Sequence, residues 1–208
     1  MPRKAPSPPA SRHADDEPSK DDLDHCRRCE LWERATQGVA GEGAPGARLM
    51  LVGEQPGDEE DVQGRPFVGP AGRMLRALLD DAGIPLEHVF LTNAVKHFHF
   101  ELRGKRRIHK TPMQRHIAAC QVWLEAELAR ERPAVIVTLG ATALAAVYGS
   151  RIAIVEARTR KIENPRGTPI VATYHPSAIL RVPDHEGRVK LRATLVADLQ
   201  RAAKLAGK

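Results

Sequence analysis

Acidic and amide side chains follow a short apolar run at Leu49–Gly53. Glu54 and Gln55 come first, and the same Gly- and Pro-punctuated loop continues with the acidic residues Asp58, Glu59, Glu60 and Asp61. This loop is too acidic to bind phosphate, and it lacks the Lys-Ser/Thr pair of a P-loop. In α/β proteins, sites lie beyond the carboxyl ends of strands. The pattern therefore predicts a shaped pocket that contains carboxylates.

Two of the three cysteines have the spacing of metal ligands. Cys26 and Cys29 flank two arginines, whereas Cys120 lies on the apolar face of a predicted helix, where a free cysteine is commonly a small hydrophobe. The spacing alone favours a metal site, zinc before iron–sulfur, over a redox pair or two ordinary residues. Candidates for a fourth ligand are His97 and, in competition with it, His25 and His99.

The segments that position these residues alternate between predicted strands and helices. The predicted strands are Arg48–Gly53, Val89–Val95, Ala134–Gly140 and Ile170–Thr173. The predicted helices are Leu23–Arg34, Pro70–Asp81, the segment from Thr111 (its cap) to Pro133, Ala141–Tyr148 and about Gly187–Leu205. Such alternation indicates a three-layer α/β/α domain with a mainly parallel central sheet.

Three segments do not follow this alternation. Residues 1–22 are rich in Pro, Ser, Ala and charge, and we expect a disordered tail ahead of a single domain at residues 23–208. Lys96–Lys110 is predicted to be a strongly basic loop, and Arg151–Gly167 a hairpin-like excursion.

The composition limits the classes of protein to which the chain can belong. The net charge of +6 is compatible with a polyanionic partner. There is no apolar run of about 18 residues that could span a membrane, and the N-terminus lacks the apolar region of a signal peptide. We therefore expect a cytoplasmic protein that does not bind membranes.

Four motifs, in this order along the chain, carry a family resemblance. They are Gly53-Glu54-Gln55-Pro56-Gly57, Gly64-Arg65-Pro66-Phe67-Val68-Gly69-Pro70-Ala71-Gly72, Thr92-Asn93-Ala94-Val95-Lys96 and His175-Pro176-Ser177. The chain resembles the uracil-DNA glycosylase superfamily from about Cys26 to the last helix, and most closely its iron–sulfur branch. Two features differ from ordinary members of that branch: Gln55 stands where Ala is usual, and Gly104–His109 carries a basic insert. Both resemble the UdgX class, which attaches covalently to uracil-containing DNA through that histidine.

The resemblance also implies a set of cluster ligands. In the family, a [4Fe–4S] cluster is held by an N-terminal pair of cysteines, one residue just after the Thr-Asn strand and one on the following helix. Here these positions are Cys26, Cys29, His97 and Cys120. Histidine replaces cysteine in other cluster types. The alternative is a three-cysteine cluster with His97 as a surface residue.

The resemblance assigns roles to residues that recognise and release the base. Phe67 would stack on a base extruded from DNA, and the Asn93 amide would match uracil N3–H and O4. Glu54 would stabilise the oxocarbenium-like sugar, and His175 would donate to uracil O2 as negative charge develops there. Gly53 belongs to the first motif and is counted with the substrate-binding residues. Ser177 would suit a helix start near a phosphate.

His109 is the candidate nucleophile. Neutral imidazole can add to C1′ of the sugar before water does. The basic residues around His109 would keep it neutral, Gln55 would position it by hydrogen bonding, and Arg107 would brace the loop or a phosphate. Asp58 and Asp61 would assist from the acidic loop, whereas Glu59 and Glu60 are expected to be solvated.

The sequence therefore predicts a monomeric, bacterial, nucleoid-associated enzyme that excises uracil from DNA, including single-stranded DNA, and then captures the abasic sugar on His109. Free uracil would be the other product. One alternative is a conventional glycosylase with multiple turnovers. The other is a non-catalytic module that holds uracil-containing or single-stranded DNA by charge and stacking.

Overall fold

The computed structural model describes residues 19–207. Most of the predicted tail, residues 1–22, lies outside this range, and the part inside it includes the start of the first helix. The strands are β1 (Glu42–Gly43), β2 (Leu49–Gly53), β3 (Val89–Asn93), β4 (Phe100–Arg103), β5 (Arg106–His109), β6 (Val135–Leu139), β7 (Ile162–Glu163) and β8 (Pro169–Thr173). The helices are α1 (Lys20–Asp24), α2 (Asp58–Gln63), α3 (Pro70–Asp81), α4 (Gln114–Glu131), α5 (Ala141–Tyr148), α6 (Ile154–Thr159), α7 (Ser177–Arg181) and α8 (His185–Leu205).

A six-stranded sheet in the order β1-β3-β2-β6-β8-β7 forms the central layer. Its four inner strands are parallel, and the short edge strands β1 and β7 are antiparallel to their neighbours. β2 is buried on both faces, as its continuous apolar sequence predicts. This sheet confirms the predicted α/β class with a mainly parallel sheet.

Helices cover both faces of the sheet, and the sheet separates the hydrophobic core into two halves. Met50 and Val52 of β2 face α4, α5 and α6, whereas Leu49 and Leu51 face α3, α7 and α8. This alternation places successive side chains of one strand in different halves of the core. Because the four inner strands are parallel, their carboxyl ends lie at the same edge of the sheet, where the loops that carry the motifs meet.

Two predicted helix boundaries were wrong. Leu23–Arg34 is not one helix, because α1 ends at Asp24 and only a 3₁₀ turn, Glu30–Glu33, follows the cysteine pair. Arg27 donates to the carbonyl groups of Asp24 and Cys26, which are therefore occupied by a side chain. α4 begins at Gln114 and not at Thr111, because the ring of His116 accepts the N–H of Met113.

Three segments contain more regular structure than predicted. The segment after β2, predicted to be a polar loop up to Pro70, contains α2 (Asp58–Gln63). The basic segment 96–110 holds the β4–β5 hairpin, which turns at Gly104 with a φ of +61°. The segment 151–167 contains α6 and then β7, whose antiparallel pairing with β8 confirms the hairpin-like part of that prediction. Within residues 19–207, no helix combines the length and the apolar character needed to cross a bilayer.

Candidate active site

A cavity of about 780 Å³ opens where β2, β3, β6 and β8 end. This volume lies within the usual range for small-molecule sites. The predicted site residues that line it are Glu54, Gln55, Asp58, Phe67, Asn93, His109, His175 and Ser177. The structure thus brings residues from four sequence motifs and from the β4–β5 hairpin into one site.

Glu54 and His109 face each other across this cavity. The Nε2 atom of His109 lies 3.4 Å from Oε1 of Glu54. The other carboxylate oxygen of Glu54 accepts a hydrogen bond from the hydroxyl of Thr142, at the start of α5. Sequence reasoning missed Thr142, although its place just after the end of β6 is one where site residues collect.

The pKa of His109 is lowered from its ordinary value, chiefly because partial burial in the cavity wall disfavours the charged ring. Glu54 opposes this shift, and His99 and Arg181 add to it. The predicted direction is therefore confirmed, but the predicted cause was wrong. The adjacent cations Lys105 and Arg106 are exposed on the hairpin, and the cation that acts on the ring is Arg181 from α7.

Gln55 holds the base of the β4–β5 hairpin from both sides. Its amide nitrogen donates to the carbonyl groups of His99 and Lys110, each at 3.1 Å, and its amide oxygen accepts the N–H of His99 at 3.1 Å. Lys110 directly follows His109 in the chain. Gln55 therefore positions His109 through the backbone of the hairpin.

Arg107 links the β4–β5 hairpin to the acidic residues of α2. Its guanidinium pairs with Asp58 and lies 2.6 Å from Oδ2 of Asp61. Asp61 is fully buried and also accepts from the backbone N–H and the hydroxyl of Thr36. Of the two predicted roles of Arg107, these contacts support bracing of the loop, and they engage Asp58 in the same brace.

Asn93, Phe67 and Gly53 pack without free space between them. A Cβ atom on Gly53 would lie 2.4 Å from Oδ1 of Asn93 and 2.6 Å from Cζ of Phe67. Phe67 has a φ of +56°, which is uncommon for a residue other than glycine and is tied to function at many sites. Its carbonyl oxygen also excludes any side chain at Gly72, since a Cβ there would approach it to 1.8 Å. These contacts explain why Gly53 and Gly72 lack side chains.

His175 is held as a neutral ring with a defined tautomer. Burial lowers its pKa to about 4. Its Nδ1 atom accepts the backbone N–H of Ser177 at 3.2 Å, so the ring proton belongs on Nε2. The hydroxyl of Ser177 lies 2.8 Å from the same Nδ1 atom. Ser177 thus contacts His175, and its predicted role near a phosphate stays a prediction.

Glu60 was wrongly expected to be solvated. It is buried, and its carboxylate accepts the N–H of Gly57 at 3.1 Å and that of Gly69 at 2.8 Å. It therefore ties the start of α2 to the segment that leads into α3. Glu59 is partly exposed and pairs with Arg73.

The cysteines lie at a second location, between the N-terminal segment and α4. The thiols of Cys29 and Cys120 are hydrogen-bonded, and this contact lowers the pKa of Cys29 to about 6 and raises that of Cys120. Buried His97 lies within the electrostatic reach of Asp24 and Arg27, on either side of Cys26. Within residues 19–207, no three His, Cys, Asp or Glu side chains converge closely enough to hold a single metal ion.

The fold and this site define an α/β protein whose pocket combines a carboxylate, an amide and neutral imidazoles. A family model described as the uracil DNA glycosylase superfamily matches residues 40–200. A type-4 uracil-DNA glycosylase of Thermotoga maritima is 39% identical over 178 residues, which are 85% of this chain and 87% of that protein.

Two archaeal proteins with the same description are also similar. The one from Sulfurisphaera tokodaii is 33% identical over 195 residues, 90% of this chain and 83% of that protein. The one from Archaeoglobus fulgidus is 31% identical over 190 residues, 88% of this chain and 89% of that protein. The chain belongs to the uracil DNA glycosylase superfamily.

Proposed function

We propose that this protein excises uracil from DNA and is then joined covalently, through His109, to the sugar that remains. The names of its relatives support the excision. One observation carries the capture: His109, on the hairpin, reaches into the same cavity as Glu54 and lies 3.4 Å from its carboxylate. A nucleophile at this point can reach the sugar carbon whose charge Glu54 stabilises.

Asn93 and Phe67 select and hold the base. The Asn93 amide accepts from uracil N3–H and donates to O4, a pairing that cytosine reverses. Phe67 supplies an apolar ring beside this amide for an extruded base. Gly53 lets both side chains approach its backbone closely, because it has no Cβ atom.

Glu54 and His175 assist the breaking of the bond between C1′ and uracil N1. The bonding electrons leave with uracil, and neutral His175 donates from Nε2 to O2, where negative charge develops. The positive charge that develops on the sugar is stabilised by Glu54. The hydroxyl of Thr142 holds Glu54 in place by donating to its other oxygen.

His109 then completes the reaction in place of water. The ring attacks as the tautomer that carries its proton on Nδ1, so that the lone pair of Nε2 forms the bond to C1′. The ring then loses the Nδ1 proton to solvent, and the uracil anion takes up a proton from solvent. The product is a neutral N-linked imidazole, which is a poor leaving group unless it is protonated again. Each molecule of the protein would therefore act only once.

A denaturing gel tests whether the protein becomes covalently attached to DNA. Single-stranded DNA with one uracil is mixed with the protein, boiled in detergent and examined for a slower band, while free uracil is measured in parallel. We expect the band, with at most one uracil released per protein. The matched variant His109→Ala should lose the band, while the neighbouring variant Arg106→Ala should keep it.

A conventional glycosylase with multiple turnovers is the second candidate, and the description of the relatives favours it. Uracil accumulating in excess over protein without a resistant band would select this candidate. If neither free uracil nor the resistant band were found, the non-catalytic binding module would be the remaining candidate. A band that persists in His109→Ala would require a different nucleophile.

We also propose that Cys26, Cys29, His97 and Cys120 hold a [4Fe–4S] cluster. The contact between the thiols of Cys29 and Cys120, and the burial of His97 within electrostatic reach of Asp24 and Arg27, support this set of ligands. A cluster binds one ligand per iron, so its ligands need not converge on one point as the ligands of zinc do. When bound, the cluster would join the N-terminal segment to α4 and serve as a structural crosslink.

Iron and acid-labile sulfide content, together with the brown absorption, tests this set. His97→Ala should weaken the absorption, and His25→Ala, a change at a competing histidine, should not. An unchanged spectrum in His97→Ala would remove His97 from the set and leave the three cysteines.

The monomeric state, the bacterial origin and an association with the nucleoid remain part of the proposed function.

A further inference from the structure

A second cavity, of about 370 Å³, adjoins the first. Thr111 and Ala141 line both cavities and form the rim between them. Thr142 also links the two, because it lines the second cavity while its hydroxyl donates to Glu54 in the first. A ligand in the first cavity can therefore continue across this rim.

The two cavities differ in charge. In the described part of the chain, the first is lined by four carboxylates, those of Glu54, Asp58, Glu59 and Glu60, and by one arginine, Arg181. Asp58 and Glu59 are paired with arginines. No acidic residue of residues 19–207 lines the second, whose charged residue is Arg151. Arg151 is exposed, and within the same residues no carboxylate pairs with it. The charge of Arg151 attracts a polyanion that continues from the first cavity into the second.

We infer that the second cavity binds the nucleotide next to the target in the same DNA strand. This inference rests on the proposed function, which places the target nucleotide in the first cavity. Pro112, Ile117 and Ile152 offer apolar contact to a base, and Gln114 offers an amide. Arg151 would pair with the phosphate of that nucleotide. The cavity volume suits a ligand of this size.

Binding of DNA that cannot be cleaved tests this inference without the reaction. The probes are labelled single-stranded oligonucleotides with 2′-fluoro-2′-deoxyuridine, whose glycosidic bond resists cleavage. One has all its bases, and two others have an abasic tetrahydrofuran unit immediately 5′ or 3′ of the target. We expect one of the abasic probes to bind about tenfold more weakly, which corresponds to about 1.4 kcal/mol. Equal affinity for all three would overturn the inference.

Two variants assign the effect to the second cavity. Ala145→Leu places a larger side chain in the second cavity and should make the affinities for the complete and abasic probes equal. Arg151→Gln should lower the slope of log affinity against log salt concentration by about one. Lys204→Gln, which removes one charge from the last turn of α8, is the matched control and should change neither the salt slope nor the preference for the flanking base.

The outcomes distinguish this inference from the proposed function. If uracil-containing DNA gives neither free uracil nor adduct but the abasic probe still binds weakly, the subsite stands and the reaction fails. The subsite is wrong if uracil is excised, both variants are folded by thermal melting, Ala145→Leu keeps the wild-type preference for the flanking base and Arg151→Gln keeps the wild-type salt slope.

Discussion

The carboxylate of Glu54 lies 3.4 Å from the imidazole Nε2 of His109, although one follows β2 and the other ends β5. The contact joins the residue that would stabilise the sugar cation to the residue that would attack it. Glu54 raises the pKa of His109, while burial lowers it more. The net shift disfavours the protonated ring, and attack by imidazole requires the neutral form.

Replacing Glu54 by Gln should change both excision and the titration of His109. Loss of the carboxylate should slow uracil release by about 100-fold or more, as for removal of other transition-state charge partners. It should also lower the pKa of His109 further, because the one group that raises it is gone. NMR titration of the His109 ring measures this shift, and a pKa that rises in Glu54→Gln would contradict the assigned electrostatics.

Gly53→Ala should impair the base pocket without unfolding the protein. The added methyl would lie 2.4 Å from Oδ1 of Asn93, so the amide or the Phe67 ring must shift. A displacement of about 1 Å at a reacting site can cost about 100-fold in rate. Single-turnover uracil release measures this loss. Wild-type rates in a variant with unchanged melting temperature would show that the contact of Gly53 with Asn93 is unimportant.

Gln55→Ala should affect capture more than excision. The substitution removes three hydrogen bonds that hold His99 and Lys110, and with them the base of the hairpin. We expect a loss of about 3 kcal/mol in stability, since each of the three bonds contributes about 1 kcal/mol. The ratio of free uracil to covalent adduct should rise, because a displaced His109 competes less well with water. An unchanged ratio would separate Gln55 from the capture step.

His175 should make folding stability depend on pH below neutrality. Its pKa is about 4 in the folded protein, below the ordinary 6.5, so the unfolded state binds more protons between these values. The contribution of His175 to the free energy of unfolding should therefore fall as the pH decreases from about 6.5 to about 4, by at most about 3 kcal/mol. Denaturant titrations of wild type and His175→Gln isolate this part. Parallel pH profiles of the two would show that His175 is not shifted.

The sequence was sufficient for the parallel sheet, because apolar strands such as Leu49–Gly53 and amphipathic helices such as Pro70–Asp81 follow simple periodicities. It was also sufficient to place Glu54, Asn93 and His175 at one edge, since parallel strands end together. It failed for the hairpin, where charges on both strands hide the alternation of β4 and β5.

Contacts between distant segments were equally beyond prediction. The burial of Asp61 depends on Thr36 and Arg107, which are 25 and 46 residues away in the chain. Thr142 donates to Glu54 although the two residues are far apart in the chain, and the cation that lowers the pKa of His109 is Arg181 from α7. Such partners follow from tertiary packing, which local patterns do not encode.

The burial of Asp61 has a consequence for motion. Lifting the hairpin away would leave the carboxylate of Asp61 buried without the guanidinium of Arg107, and breaking such a buried pair costs about 3–5 kcal/mol. The nucleophile would therefore stand ready before DNA arrives, and the DNA must bend and extrude its base to reach it. Amide hydrogen exchange in β4 and β5 should accordingly be as slow without DNA as with it.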